Sequence, residues 1–425
     1  MKNTQNEKIS QIKINTLVVG IDIGKETHYA RAFDYRGIEL SKLLKFNNNA
    51  EGFKHLEQWM QDICKQQDKE QVIVGFEPTG HYWFSLGDHL KKKGHKLAIV
   101  NPFHVKRTKE LDDNSPTKND SKDPKIIAML VKDGRYREVY IPDDIYQELR
   151  EAVGERDRLQ DQMISVSNRV IRWLDIRFPE FAKVFKKWTG KAALMVLKSY
   201  PTPEKIIEAG TSKIVEMWKK AKMRGVGYKR AEDLVKAACT SIGRTTGAVA
   251  SEASLHNLLA EYDLYLEQYH QMEQLMLELL LQVPNAEKLL AIAGVGLTTA
   301  ATFVGEVGDI LRFQDPRQIQ KLAGLNLVEN SSGKHKGKTT ISRRGRKRLR
   351  HSLFMAMIAI LARNQEFRLL HQKNLTKEKP LTKMQSIIAL CGKLIRVFYA
   401  VLKKSVDYSP EKMLGDIQKS MKAAA

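Results

Sequence analysis

Thr16–Ile23 reads TLVVGIDI and Gln71–Glu77 reads QVIVGFE, and these two stretches decide the fold of the first 142 residues. Each is a short, β-branched, almost unbroken apolar run, the pattern of a strand buried on both faces. Each reaches a carboxylate at its end, Asp22 in the first and Glu77 in the second. Working outward, His28–Tyr35 and Ile38–Phe46 are two more strand candidates, joined by a turn at Arg36-Gly37. Glu51–Lys65 carries Phe53, Leu56, Met60 and Ile63 at helical spacing. Tyr82–Lys93 is helical and stops at Gly94, a residue suited to the C-cap. Lys96–Val100 (KLAIV) is a further strand, and a helix follows in KNDSKDPKIIAML.

A three-stranded meander followed by helix, strand, helix, strand and helix is the element order of an RNase H-like (RuvC-like) α/β domain, assigned to residues 1–142. It places the first strand centrally, with the fourth and fifth parallel to it, so Asp22 and Glu77 become neighbours on one rim. Asp120 and Asp123 share one face of a helix turn at their i, i+3 spacing. Four converging carboxylates repel unless a divalent cation neutralises them, and two Mg²⁺ ions about 4 Å apart suit phosphoryl transfer. Each residue also has a plain structural role open to it. Asp22-Ile23-Gly24 fits a strand-end turn or the first phosphate loop of an actin-like ATPase, although no second phosphate loop is found. Glu77 can start a loop before Pro78, and Asp120 can cap a helix with Pro124 just inside it. Asp112 and Asp113 read as solvated charges, and Lys118 and Lys122 as surface lysines able to meet phosphate.

From Ile145 to Leu174 the apolar positions Ile145, Leu149, Val153, Leu159, Met163, Val166, Val170 and Leu174 form one stripe of a long helix. A second runs from Leu255 to Leu281, and Pro284 stops it. This middle segment, 143–283, fits an antiparallel coiled-coil arm or dimerisation element as well as it fits an ordinary helical bundle. The last segment, 284–408, is mainly α-helical, and a polar tail occupies 409–425. Ala293-Gly294-Val295-Gly296, followed by Thr299, Ala300 and Val304, has the spacing of a helix-hairpin-helix, whose glycines let backbone N–H groups approach a phosphate. Packing against other helices is the alternative use of such a hairpin. A weaker copy stands at Arg224-Gly225-Val226-Gly227.

Composition agrees with a polyanionic partner. The 425 residues, enough for roughly two or three domains, hold 71 Lys and Arg against 49 Asp and Glu, a net charge of +22. Residues 284–425 alone hold 26 basic and 10 acidic side chains, +16, whereas 1–142 carry +5 and 143–283 carry +1. No acidic residue occurs from Asn330 to Gln365. Lys334, Lys336, Lys338, Arg343, Arg344, Arg346, Lys347, Arg348 and Arg350 crowd that stretch, as a phosphate-binding loop and helix start require. Ser332 sits before Gly333 in a turn among these cations, beside Ser331. Its hydroxyl suits attack on phosphorus, although a serine in such a turn is usually structural. Cys64, Cys239 and Cys391 are too scattered for disulfides or a zinc site, which fits a reducing cytosol. No apolar run is read as approaching the roughly 20 residues of a membrane span, and the polar start is no signal peptide.

Together GIDIGKETH, GFEPTGHYW, NPFHVK with KNDSKD, IAGVGLTTAATFVGEVGD and GLNLVENSSGKHKGK with ISRRGRKRLRHSLF resemble the DEDD-type insertion-sequence transposases. This is the "one-ten" insertion-sequence family of bridge-RNA-guided serine recombinases, and the resemblance covers nearly the whole chain. It implies that Asp22, Glu77, Asp120 and Asp123 are the DEDD residues of a Holliday-junction-resolvase-like domain holding Mg²⁺. It implies that Ser332, in the transposase domain, forms a 5′-phosphoserine link to cleaved DNA in a composite site with the carboxylates. It further implies donor and target DNA and a non-coding bridge RNA as partners, a homo-oligomer (dimer or tetramer), and a nucleoid-associated enzyme of the bacterial cytosol. Gly294, Gly296 and the nine basic residues are the expected nucleic-acid contacts. Two other functions remain open to the same residues: a metal-dependent Holliday-junction endonuclease using the carboxylates alone, and a non-enzymatic nucleic-acid-binding protein.

Overall fold

The computed structural model describes residues 4–78, 80–112, 122–140, 144–329, 331–332, 335–337, 339–413 and 415. The chain divides into two compact units, Met1–Ile141 and Pro142–Ala425.

The first unit is a mixed α/β domain. After α1 (Thr4–Ile9) come β1 (Thr16–Asp22), β2 (Thr27–Phe33), β3 (Leu44–Asn47), α2 (Ala50–Gln66), β4 (Gln71–Phe76), α3 (Phe84–Lys92), β5 (Lys96–Val100), α4 (Pro102–Asp112), α5 (Asp123–Lys132) and β6 (Tyr136–Glu138). The six strands form one sheet in the order β3-β2-β1-β4-β5-β6. β2 runs antiparallel to β1 and to β3, whereas β4 is parallel to β1 and β5 parallel to β4. The central first strand and its parallel neighbours are thus as the apolar runs predict. Three details differ. The third strand is only Leu44–Asn47, with a lone bridge from Phe33 to Glu39 standing for the rest of Ile38–Phe46. α1 and the antiparallel edge strand β6 are additions, both too short to leave a periodic signal.

Alternation along β1 assigns its two faces. Leu17, Val19 and Ile21 join Phe53, Leu56, Met60, Leu86 and Leu90, the buried residues of α2 and α3. Val18 joins Ile126, Ile127, Leu130 and Val131 of α5, together with Val105 of α4. The sheet is therefore covered by α2 and α3 on one face and by α4 and α5 on the other, which is why the runs 17–21 of β1 and 72–76 of β4 carry no polar side chain.

The second unit is mostly helical. Two 34-residue helices, α6 (Asp144–Arg177) and α11 (Ala248–Leu281), enclose in sequence α7 (Phe181–Val184), α8 (Lys191–Ser199), α9 (Pro203–Lys220, interrupted at Gly210) and α10 (Tyr228–Cys239). α6 and α11 pack side by side and antiparallel. Arg156 reaches Tyr269, Arg169 pairs with Glu261 at 2.5 Å, and Trp173 donates to the Ser251 carbonyl at 2.8 Å. One end of the pair belongs to a core built from α7 to α10, with Trp218, Phe178 and Phe181 fully buried. The other end, through Leu149, Val153, Met276 and Leu280, shares a core with the segment after Pro284. The expected arm and the expected C-terminal domain are thus continuous in packing.

That last segment holds a 3₁₀ turn at Glu287–Ala291, α12 (Leu297–Val307) and α13 (Pro316–Leu322). Four two-residue strands follow: β7 (Leu327–Val328), β8 (Ser331–Ser332), β9 (His335–Lys336) and β10 (Thr340–Ile341). Then come α14 (Lys347–Arg363), α15 (Gln365–Thr376) and α16 (Lys383–Lys404). α16 corrects the expectation that no apolar run approaches a membrane span, since it is long and apolar enough by length and composition. Leu390, Leu394, Ile395, Phe398 and Val401 explain why, because they fill the core of this unit.

Candidate functional site

Two features of the first unit build its carboxylate rim. The parallel register pairs Ile21 with Phe76. The next position on each chain is Asp22 and Glu77, so the two carboxylates leave adjacent strand ends on the same face. Two residues earlier the register pairs Gly20 with Gly75, on the face that α5 covers. A Cβ on Gly20 would stand 2.0 Å from the Pro124 carbonyl oxygen, and one on Gly75 would stand 2.4 Å from Val131 Cγ2. The paired glycines form a trough in which the backbone of α5 touches the sheet. Asp123, immediately before Pro124, is thereby carried to the strand ends. Its place in the first helical turn also suits a negative charge.

Electrostatics agree with this geometry. Burial, then the charge of Asp123, pushes the Glu77 carboxyl above its ordinary value, and the Lys109 ammonium opposes that rise. Lys109, on α4, forms an ion pair with Asp123 Oδ1. Apart from this ion pair, Asp123 Oδ1 is a buried oxygen with no hydrogen bond among the described residues. A buried acceptor of this kind, facing a second carboxylate, fits a hard divalent cation with oxygen ligands. Asp22, Glu77 and Asp123 are the residues able to hold one. They do not by themselves close a three-ligand metal cluster among the described residues. Asp120, like Lys118 and Asp113, lies outside the described residues. The helix cap falls on Lys122, which makes no side-chain cap bond.

The serine lies on a β-ribbon. β7 pairs with β10, matching Val328 with Thr340, and β8 pairs with β9, matching Ser331 with Lys336 and Ser332 with His335. Sequence spacing places Ser332 in a turn; the structure places it at the last position of β8. The ribbon is clasped at its base. Arg343 N–H donates to the Gly324 carbonyl at 3.0 Å, Arg346 N–H to Leu322 at 2.8 Å, and Ser342 Oγ to Asn326 Oδ1 at 2.7 Å. Gly324 (φ +69°) and Gly345 meet there so closely that a Cβ on Gly345 would stand 2.4 Å from the Leu322 oxygen.

The basic residues after the ribbon divide into two groups. Arg343, Arg344 and Lys347 are exposed. Arg346 and Arg348 instead reach the buried Glu306 of α12 at 3.1 and 3.7 Å, and Arg348 also meets Asp157 of α6 at 3.2 Å. Arg350 donates to the carbonyls of Ala323 and Arg343. These three of the expected phosphate contacts are occupied inside the unit, where they fasten the ribbon base and α14 to α12 and α6. Lys336 lies in β9, while Lys334 and Lys338 fall outside the described residues.

The glycine hairpin divides likewise. Gly294 (φ +93°) lies against α14, and a Cβ there would stand 2.6 Å from Ile360 Cα, so packing accounts for its glycine. Gly296 caps α12 and faces open space. In the weaker copy Gly227 likewise caps α10. Sequence reasoning missed Lys109, Glu306 and the glycine trough. A signal for the trough was present: Gly20-Ile21-Asp22 and Gly75-Phe76-Glu77 each put a glycine two residues before the carboxylate.

Comparison with known proteins covers both units. Residues 19–179 match the DEDD-type IS110 transposase family, described as Transposase, and residues 286–372 match the family described as Transposase IS116/IS110/IS902. The chain is 24% identical over 398 residues to the insertion element IS116 uncharacterized 44.8 kDa protein of Streptomyces clavuligerus, covering 92% of this chain and 96% of that protein. It is 24% identical over 322 residues to the insertion element IS110 43.6 kDa protein of Streptomyces coelicolor, covering 74% and 78%. It is also 24% identical over 393 residues to the pilin gene-inverting protein of Moraxella bovis, covering 91% and 96%.

Proposed function

The chain belongs to the IS116/IS110/IS902 transposase family of DNA-processing enzymes, and on that premise we propose that it is a serine recombinase assisted by a carboxylate-held metal. The observation that carries the carboxylate half is the register placing Asp22 beside Glu77, with Asp123 brought to the same strand ends by the glycine trough. In this reading the first unit is RNase H-like, α6 and α11 form a coiled-coil arm, and the glycine hairpin is a helix-hairpin-helix. Asp22, Glu77, Asp120 and Asp123 would hold Mg²⁺, which when bound supplies charge neutralisation at a phosphate under attack.

The chain's own chemistry is written from the ribbon. The Ser332 hydroxyl attacks a DNA phosphorus and loses its proton. The Ser332 oxygen–phosphorus bond forms as the bond from phosphorus to the 3′ oxygen breaks, and that oxygen leaves as a 3′-hydroxyl. A 3′-hydroxyl of another strand then attacks the 5′-phosphoserine, releases Ser332 and rejoins the DNA through a Holliday-junction-like exchange. Exposed Arg343, Arg344 and Lys347, with Lys334, Lys336 and Lys338, bind the backbone phosphates. A non-coding RNA of the element pairs with donor and target DNA, and the enzyme works as a homo-oligomer in the bacterial cytosol.

The test is trapping of protein–DNA adducts on donor DNA, with the associated RNA supplied by co-purification. Ser332→Ala should abolish the adduct, Ser331→Ala should retain it, and Asp22→Ala should lose cleavage through lost metal. Metal-dependent cleavage without any protein-linked DNA would assign the chain instead to water-driven junction cutting.

A further inference from the structure

We propose that Lys109 is a positioning residue of the carboxylate rim, an ammonium built into the fold that holds Asp123 in the metal-free protein and yields to a divalent cation. The proposal rests on the reading that Asp22, Glu77 and Asp123 hold that cation.

Two observations carry it. Lys109 comes from α4, an element separate from the strands and helix that supply the carboxylates, and its ammonium rests on Asp123 Oδ1. Asp123 Oδ1 is buried and makes no hydrogen bond among the described residues. The Lys109 ammonium is therefore the partner that this oxygen has among the described residues.

Charge counting gives the consequence. The Lys109 ammonium faces Asp123, and Asp22 and Glu77 leave the adjacent strand ends. A cation drawn to these carboxylates finds the Asp123 oxygen covered by another positive charge. Two cations on one carboxylate oxygen repel, so binding requires the ammonium to move. A lysine suits this exchange, because its compact charge sits on a flexible four-carbon stem and is readily rehydrated. Its side chain is 36% exposed against 20% for Asp123, so the ammonium has a path to water. Lys109 would then keep the rim from self-repulsion between catalytic cycles at the cost of some metal affinity.

The measurement is Mn²⁺ binding to the full chain by calorimetry, with Mn²⁺ as the probe for Mg²⁺, on wild type, Lys109→Gln, Lys109→Met, Lys109→Arg and Glu77→Gln. Lys109→Gln and Lys109→Met should each bind Mn²⁺ about three- to fivefold more tightly, the upper end expected for loss of one partly screened charge contact. Both should melt at a lower temperature than wild type without metal and recover when metal is added. Lys109→Arg should restore wild-type affinity. Neutral variants that bind within twofold of wild type, or more weakly, would overturn the proposal. Weaker DNA binding with unchanged Mn²⁺ affinity would also overturn it, making Lys109 a phosphate contact. Wild type that binds no Mn²⁺, or Glu77→Gln that binds it as well as wild type, would instead sink the carboxylate reading itself. The two Lys109 substitutions differ in polarity, so a folding defect in one leaves the other to decide.

Discussion

Gly20→Ala is the substitution that most directly probes how the site is built. A Cβ at Gly20 would stand 2.0 Å from the Pro124 oxygen, 2.7 Å from the Ala128 nitrogen and 3.0 Å from the Pro124 carbon. Ordinary contact begins at 3.4 Å, so backbone must separate by about 1.4 Å. No side-chain rotation relieves this, since all three obstacles are main chain. Overpacking of this kind costs roughly 1–3 kcal/mol, and with two backbone groups in the way the upper end applies. Reduced freedom of the unfolded chain returns about 0.4–1 kcal/mol. A net loss of about 2 kcal/mol should lower the melting temperature by roughly 5–8 °C for a unit of this size. The larger effect falls on chemistry: a shift of about 1 Å in a positioned group costs on the order of 100-fold in rate, and Asp123 moves with Pro124. Gly75→Ala is the built-in contrast, because its nearest obstacle is Val131 Cγ2 at 2.4 Å. There Val131→Ala should restore stability in the double variant, whereas no side-chain truncation should rescue Gly20→Ala. Circular-dichroism melts and adduct formation on donor DNA make the comparison. A Gly20→Ala protein with wild-type melting temperature and cleavage would refute the trough as the device that delivers Asp123.

Two further outcomes follow from charge. The Glu77 carboxyl is held above its ordinary value by burial and by Asp123, so it binds a proton more readily folded than unfolded. It therefore contributes stability below the usual glutamate value of about 4.3, and that stability is lost as pH rises through the raised folded value. In metal-free urea titrations at successive pH, wild type should weaken across that window and Glu77→Gln should not; parallel profiles would contradict the assignment. Glu306→Ala removes the common partner of Arg346 and Arg348. It should cost about 2 kcal/mol in urea denaturation, the scale of hydrogen bonds to charged groups, and an unchanged midpoint would show that the ribbon base is held by its backbone clasp alone.

Much of the first unit was legible in the chain. The runs 17–21 of β1 and 72–76 of β4 carry no polar side chain because helices cover both faces of the sheet, and a nearly unbroken apolar run reports that condition. β6 and α1 were not legible, because three and six residues complete too little of a period. Asp22 and Glu77 were found because the runs end on them. Spacing singled out Asp123 beside Asp120, but the route of Asp123 to the strand ends runs through Gly20, where the side chain that matters is the one absent. In the second unit the long helices announced themselves through three- and four-residue steps, but not the division of their ends between two cores.

Linear sequence thus determined the local matters: which segments are strands or helices, where the carboxylates end the strands, and that +16 of the +22 charge lies after residue 283. These depend on neighbours in the chain and on composition. Tertiary structure alone decided which cations are spent. Arg346 and Arg348 read as phosphate ligands until Glu306, forty residues back in α12, takes the first and shares the second with Asp157 of α6. Lys109 reads as one more surface lysine until α4 brings it to Asp123. A charge's role is set by the nearest opposite charge in space, and in this protein that partner lies on another element.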